Sequence, residues 1–261
     1  MSLIRIETDT RGVATLTLAR PEKHNALLGE MIVEITQAAI ALGADPAVRV
    51  VILAADGPTF CAGGDLGWMR AQVDATPDVR VVEARKLATM LQTLNTLPKP
   101  LIGRVQGNAL GGGVGMACVC DIAISVETAK FGLTETKLGL IPATIGPYVV
   151  ARMGEGKARR VFMSSRIFAA PEAQELGIVA KLVTTDTLDA AIEAEVAPYL
   201  NCAPGAVADA KALARALGPQ IDDALLDKTV AALMARWADP EGAEGIAAFL
   251  DKRSPPWRND N

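Results

Sequence analysis

An α/β fold is predicted from three features of the sequence. Strand-like and helical runs alternate through the first half, the last third is almost all helical in pattern, and glycine-rich stretches sit directly behind two of the strands.

Residues 3–7 and 13–18 alternate apolar and polar side chains, and Arg11-Gly12 makes the turn of a hairpin between them. Pro21 then breaks the run. Leu28, Met31, Ile32, Ile35, Ala39 and Leu42 recur at helical spacing, so a helix with one apolar face follows. Val48 to Ala54 is a continuous apolar run closed by Asp56-Gly57-Pro58, the pattern of a buried strand. A helix is predicted over 78–95, with Val82, Leu87, Met90, Leu91 and Leu94 inward, and Pro98-Lys99-Pro100 stops it. Strands are predicted over 101–105 and 121–125, with the glycine cluster and an apolar helix at 107–120 between them. Helices are then predicted over 146–163, 171–176, 186–200, 205–217, 221–237 and 241–250, interrupted by one strand at 178–183. No repeat or low-complexity linker divides the chain. The C-terminal helices have the pattern of a packing and assembly module.

Half of the 261 residues are apolar and 21% are charged, as in ordered globular proteins. Aromatics are only 4%, so the core depends on close approach of small side chains. A net charge of −4 argues against a nucleic-acid partner, which needs a basic surface. Cys61, Cys118, Cys120 and Cys202 form no C-x-x-C pair and His24 is the single histidine, so no metal site is expected. The cysteines read as small hydrophobes of a reducing compartment. With no signal-like segment and no uninterrupted apolar run of membrane length, a cytoplasmic protein with no membrane partner is expected.

Three segments carry the candidate chemistry: Phe60-Cys61-Ala62-Gly63-Gly64-Asp65-Leu66, Gly107 to Gly113, and Phe131-Gly132-Leu133-Thr134-Glu135. Glycine lets a substrate approach the backbone, and a loop entering a helix leaves amide N–H groups without partners. Two such loops side by side can aim two donors at one oxygen, the arrangement of an oxyanion hole. The dipole of the helix after the glycine cluster adds positive potential there. Taken singly, the features have plainer readings: tight turns for the glycines, a helix N-cap for Asp65, an exposed carboxylate for Glu135. Competing motifs fail. Met116 stands where the third glycine of G-x-G-x-x-G would fall, Gly156-Lys157 lacks the rest of a phosphate loop, and no G-x-S-x-G occurs.

Together the segments resemble the crotonase superfamily of enoyl-CoA hydratases and isomerases. Arg20-Pro21, Asn25-Ala26-Leu27, Cys120-Asp121-Ile122, Ala173 to Gly177, Lys252-Arg253, and Pro256-Trp257 extend the match over nearly the whole chain. The resemblance implies the crotonase (ClpP-like) spiral of ββα turns over 1–200 and a helical trimerisation region over 201–261. It implies self-association as a homotrimer or hexamer. It implies an acyl-CoA thioester as substrate and no cofactor. Oxyanion donors map onto the amides of Ala62 and Gly112, and catalysis onto Glu135. Coenzyme A and substrate contacts map onto Lys23, Ala26, Ala62, Gly63, Gly64, Asp65, Leu66, Gly112 and Gly115, with Lys252 from a neighbouring subunit.

The chain departs from the family's hydratases at one place. A second catalytic glutamate is usual at the position of Gly115. Glu135 is therefore expected to activate water and return a proton to the α-carbon alone, with water in the space that Gly115 leaves and the Ala143 amide free to orient it. Hydration is the leading reaction. A Δ3,Δ2-enoyl-CoA isomerase and a non-catalytic acyl-CoA-binding protein are the alternatives. The run Thr134-Glu135-Thr136-Lys137-Leu138-Gly139-Leu140-Ile141-Pro142-Ala143 resembles the branch acting on branched, carboxylated enoyl-CoAs such as 3-methylglutaconyl-CoA. There Gly115 would make room for the β-substituent or the second carboxylate.

Overall fold

The computed structural model describes residues 2–258. The elements in order are β1 (Ile4–Thr8), β2 (Val13–Leu18), α1 (Gly29–Ala44), β3 (Val50–Ala55), β4 (Thr59–Cys61), α2 (Leu66–Asp74), α3 (Pro77–Thr96), β5 (Leu101–Val105), β6 (Asn108–Leu110), α4 (Gly112–Val119), β7 (Ile122–Val126) and β8 (Lys130–Gly132). A 3-10 turn, Glu135–Leu138, leads to α5 (Gly146–Met153), α6 (Glu155–Phe162), β9 (Ile167–Ala169), α7 (Ala170–Leu176), β10 (Lys181–Val183), α8 (Leu188–Leu200), α9 (Pro204–Leu217), α10 (Asp223–Ala238) and α11 (Pro240–Leu250).

Two sheets form. The larger has the order β1-β2-β3-β5-β7-β10 and the smaller β4-β6-β8-β9. In the larger sheet only the β1–β2 hairpin is antiparallel. In the smaller sheet β4, β6 and β8 are parallel, and β9 runs against β8. The chain visits the sheets in pairs: β3 then β4, β5 then β6, β7 then β8. Helices carry it back after β4 and after β6, so these pairs wind as a ββα spiral. The inner strands of the larger sheet are mostly buried because helices cover them, β2 and β3 at all but one position each, while the edge strands β1 and β10 have no fully buried position.

This winding positions the three glycine- and glutamate-bearing segments. They follow β4, β6 and β8, which are parallel neighbours in one sheet. The carboxyl ends of neighbouring parallel strands lie side by side, so segments far apart in sequence meet at one edge. The joint is tight. A Cβ on Gly113 would lie 3.0 Å from Cys61 Cβ and closer still to the Cys61 carbonyl oxygen. Since backbone cannot yield as a flexible side chain can, Gly113→Ala is expected to cost about 1–3 kcal/mol. Denaturant unfolding of the variant checks this.

The C-terminal helices fold back on the same chain. Leu226 and Val230 of α10 pack with Ala84 and Ala88 of α3. Trp237 and Ile246 pack with Met69 and Leu140, where α2 and the segment after the 3-10 turn meet α11. By contrast, α9 buries no residue, and Leu213 and Leu217 on it are exposed. No helix among the described residues is long and apolar enough to cross a membrane.

Candidate active site

The segment 24–27 flanks the loop after β4. Asn25 is fully buried in a left-handed conformation (φ 52°), which costs energy for a side chain unless contacts hold it. Its amide supplies them. Nδ2 donates to the carbonyls of Asp56 (2.9 Å) and Thr59 (2.8 Å), and Oδ1 accepts from the Arg20 amide (2.9 Å). The His24 ring nitrogen Nδ1 lies 3.1 Å from the Thr59 hydroxyl. This anchoring brings the sequence-predicted residues Lys23 and Ala26 beside Ala62 to Asp65. Leu27 N–H donates to Gly63 O at 2.7 Å, and Asp65 N–H to Leu27 O at 2.8 Å.

Those two bonds orient the intervening residue. Successive peptide groups of an extended segment point to opposite sides, so the N–H of Gly64 turns away from Leu27, toward the side where β6 runs into α4. Among the described residues no acceptor takes it. Gly64 is exposed, with Met69 at 3.6 Å from the place a Cβ would occupy. Gly112 is the first residue of α4, so its N–H has no partner within the helix, and it is partly exposed. The two loops touch: a Cβ on Gly112 would lie 3.9 Å from the Cα of Gly63.

The expectation for Ala62 is corrected here. Its N–H donates to the His24 carbonyl at 3.0 Å, so it is already spent inside the protein. The open donor on this loop is two residues further on, at Gly64.

Asp65 caps α2, accepting from the amides of Gly67 (2.8 Å) and Trp68 (3.1 Å), and pairs with Arg20 at 2.8 Å. Burial works to raise its carboxyl, but the Trp68 amide, the Arg20 guanidinium and the Gly67 amide together hold it below its usual value. Asp65 thus fixes the start of α2 and the loop before it. Leu66 points largely to solvent, 53% exposed, and Lys252 is exposed beyond the end of α11.

Glu135 is the carboxyl that the structure brings to this edge. The residue as a whole keeps some exposure, yet its Oε2 is sealed from solvent and has no hydrogen-bond partner. Burial pushes the carboxyl from 4.5 up to about 7, only partly offset by a hydrogen bond from its own backbone. Its Oε1 lies 3.1 Å from the place where a Cβ on Gly111 would be, so the carboxylate stands at the entrance of α4.

Gly115 follows one turn beyond Gly111, the residue before α4, and its N–H donates to the Gly111 carbonyl at 3.2 Å. A Cβ there would lie 2.9 Å from Ile145 Cβ and closer still to Ile145 Cγ2, with Leu91 at 3.7 Å. Ile145 itself is 2% exposed. The volume beside Gly115 is therefore filled by a branched apolar side chain, not left for water or for a substituent of the substrate. The Ala143 amide is spent as well, donating to Ile141 O at 2.8 Å. Both expectations for water here fall on these contacts. Ile145 is the residue that reading the sequence missed, since nothing local to it signals a partner thirty residues away.

Comparison with known proteins agrees with this fold. Residues 8–260 match the family described as enoyl-CoA hydratase/isomerase. The chain is 34% identical over 255 residues to the 1,2-epoxyphenylacetyl-CoA isomerase of Escherichia coli K12, covering 94% of each chain. It is 32% identical over 248 residues to the crotonyl-CoA hydratase of Syntrophomonas wolfei, covering 92% of each. An enoyl-CoA hydratase structure from Shewanella pealeana superposes with a TM-score of 0.80 at 39% identity, covering 98% of this chain and 96% of that one. A spiral of paired strands, free amides behind two of them and a buried carboxyl behind the third are thus joined to sequence identity along the full length, and the chain belongs to the enoyl-CoA hydratase/isomerase family of the crotonase superfamily.

Proposed function

We propose that this protein is an enoyl-CoA hydratase in which Glu135 is the only acid–base group and the amides of Gly64 and Gly112 hold the thioester oxygen. The observation that carries the reading is the unpartnered, buried Oε2 of Glu135 at the entrance of α4, beside a free helix-terminal N–H. A buried polar atom without a partner calls for one from a ligand, and a carboxyl poised near neutrality both takes and gives a proton. The ionised carboxylate removes a proton from water as its oxygen bonds to the β-carbon. The double-bond electrons move onto the thioester oxygen, where two N–H donors stabilise the enolate. Protonated Glu135 then delivers its proton to the α-carbon, and the carbonyl re-forms. Water reaches Glu135 from the substrate cleft, since the Gly115 side is closed.

The segment 23–26 and the loop 62–66 lie together on the outer edge of β4, which supports coenzyme A binding there, with Lys23 and a neighbouring subunit's equivalent of Lys252 as contacts. The bare face of α9 supports self-association as a trimer or hexamer. A branched, carboxylated acyl chain remains the reading of the Thr134–Ala143 run, with its extra groups lodged elsewhere than at Gly115.

One observation favours isomerisation as the second reading. With Ile145 against Gly115 the site is apolar opposite its single carboxyl, and moving a double bond needs only one group to shuttle a proton. A spectral assay separates the readings. Crotonyl-, 3-methylcrotonyl- and 3-methylglutaconyl-CoA are expected to lose their conjugated-thioester absorbance by hydration. A β,γ-enoyl-CoA that gains absorbance while none of these three loses it would make the protein an isomerase. No change with any thioester would make it a binding protein.

A further inference from the structure

We propose that Ile145 is the residue that sets the balance between adding water and moving a double bond, by filling the face of α4 next to Glu135. This rests on the enolate chemistry proposed above and goes beyond it by assigning a specificity role to a residue outside the three site loops.

The placement is specific. Gly111 precedes α4 and Gly115 lies within it, one turn on, joined by the hydrogen bond from Gly115 N–H to Gly111 O. The first faces Glu135 and the second faces Ile145, so the isoleucine continues the wall on which the carboxyl stands. Ile145 sits at the N-terminal boundary of α5, and α5 packs on α4, so its backbone is held by two helices. Its neighbours on the α4 side are apolar: Leu91 of α3 reaches the same spot.

Two atoms of Ile145 do the filling, Cβ and Cγ2. Ile145→Val keeps both, whereas Ile145→Ala removes Cγ2 and leaves a gap against Gly115. The gap opens one turn along the chain from Gly111, where the Glu135 carboxyl stands, and that carboxyl is the polar group that would hold the entering water. Water there reaches the β-carbon from a direction the wild-type protein closes, and it also solvates Glu135.

The test uses one acyl chain presented as its α,β-enoyl and its β,γ-enoyl thioester to the full-length protein. The ratio of hydration to double-bond shift is measured against pH. Ile145→Ala is expected to raise the ratio by about tenfold and to move the acidic limb of the rate profile to lower pH. Ile145→Val is expected to match wild type in both. Should Ile145→Ala fail to fold, Ile145→Ser carries the same expectation, since it also lacks Cγ2 and offers water a hydroxyl. A ratio and a pH limb both unchanged in the folded Ala or Ser variant would overturn the inference, as would a Val variant that behaves like Ala. A wild-type protein inert toward both thioesters would overturn the functional reading and this inference with it.

Discussion

Glu135→Gln is expected to lower kcat by about 10²–10⁴-fold on any enoyl-CoA that the wild type converts, the usual contribution of a positioned acid–base group. The amide is nearly the same size and cannot cycle a proton, so substrate affinity should change little. A second consequence follows from burial. The folded carboxyl titrates at about 7, above its ordinary 4.5, so the native state favours the protonated form. The stability this gives is fully present below pH 4.5 and is lost as pH rises through 7. Glutamine is neutral throughout. Between pH 4.5 and 8 the Gln variant should therefore gain on wild type by on the order of 3 kcal/mol, from the size of that displacement. Paired denaturant unfolding curves at the two pH values check the sign. A variant that is less stable than wild type at pH 8 would mean that Glu135 has a fixed partner in the resting protein.

Removing one oxyanion donor is expected to cost about 10²–10³-fold in kcat. The cleanest replacement is an ester for the peptide bond at Gly112, which deletes the N–H without adding atoms to a crowded helix start. The same change at Gly64 should have a similar effect. At Ala62 it should leave kcat unchanged and lower only stability, because that N–H serves the His24 carbonyl. Since these donors act on charge that develops in the transition state, KM should move much less than kcat. A loss of rate on esterification at Ala62, with none at Gly64, would return the role to Ala62.

Much of the spiral is legible in the residues, and the reasons differ by element. Long periodic segments announce themselves. Leu101–Val105 is a strand as predicted, and the helix predicted over 78–95 extends by one residue at each end as α3. The three-residue strands β4, β6, β8 and β9 were not legible, because so short a segment has no period. The sequence pattern also hid α2: of its nine residues only Met69 and Gln72 are buried, and Gly67 weakens it, although its Asp65 cap was readable. One helix predicted over 146–163 is two, since Gly154 takes φ 76° between α5 and α6.

The site divides in the same way. That two glycine loops could lie side by side was readable from glycines placed behind strands. Which amide is free was not, because this depends on the pleat: a shift along an extended segment turns a donor from the ligand side to the protein side. Nor was the filling of the Gly115 face, since Ile145 meets it only through the packing of α5 on α4.

The central claim is tested most directly by the amide protons themselves. With glycine-selective ¹⁵N labelling, the Gly64 and Gly112 N–H resonances are followed as a non-reactive acyl-CoA thioester is added. The account predicts that both shift downfield together, as two donors engage one oxygen, while Ala62, labelled separately, stays where it is. Saturating ligand that moves Ala62, or leaves either glycine amide unshifted, would contradict it.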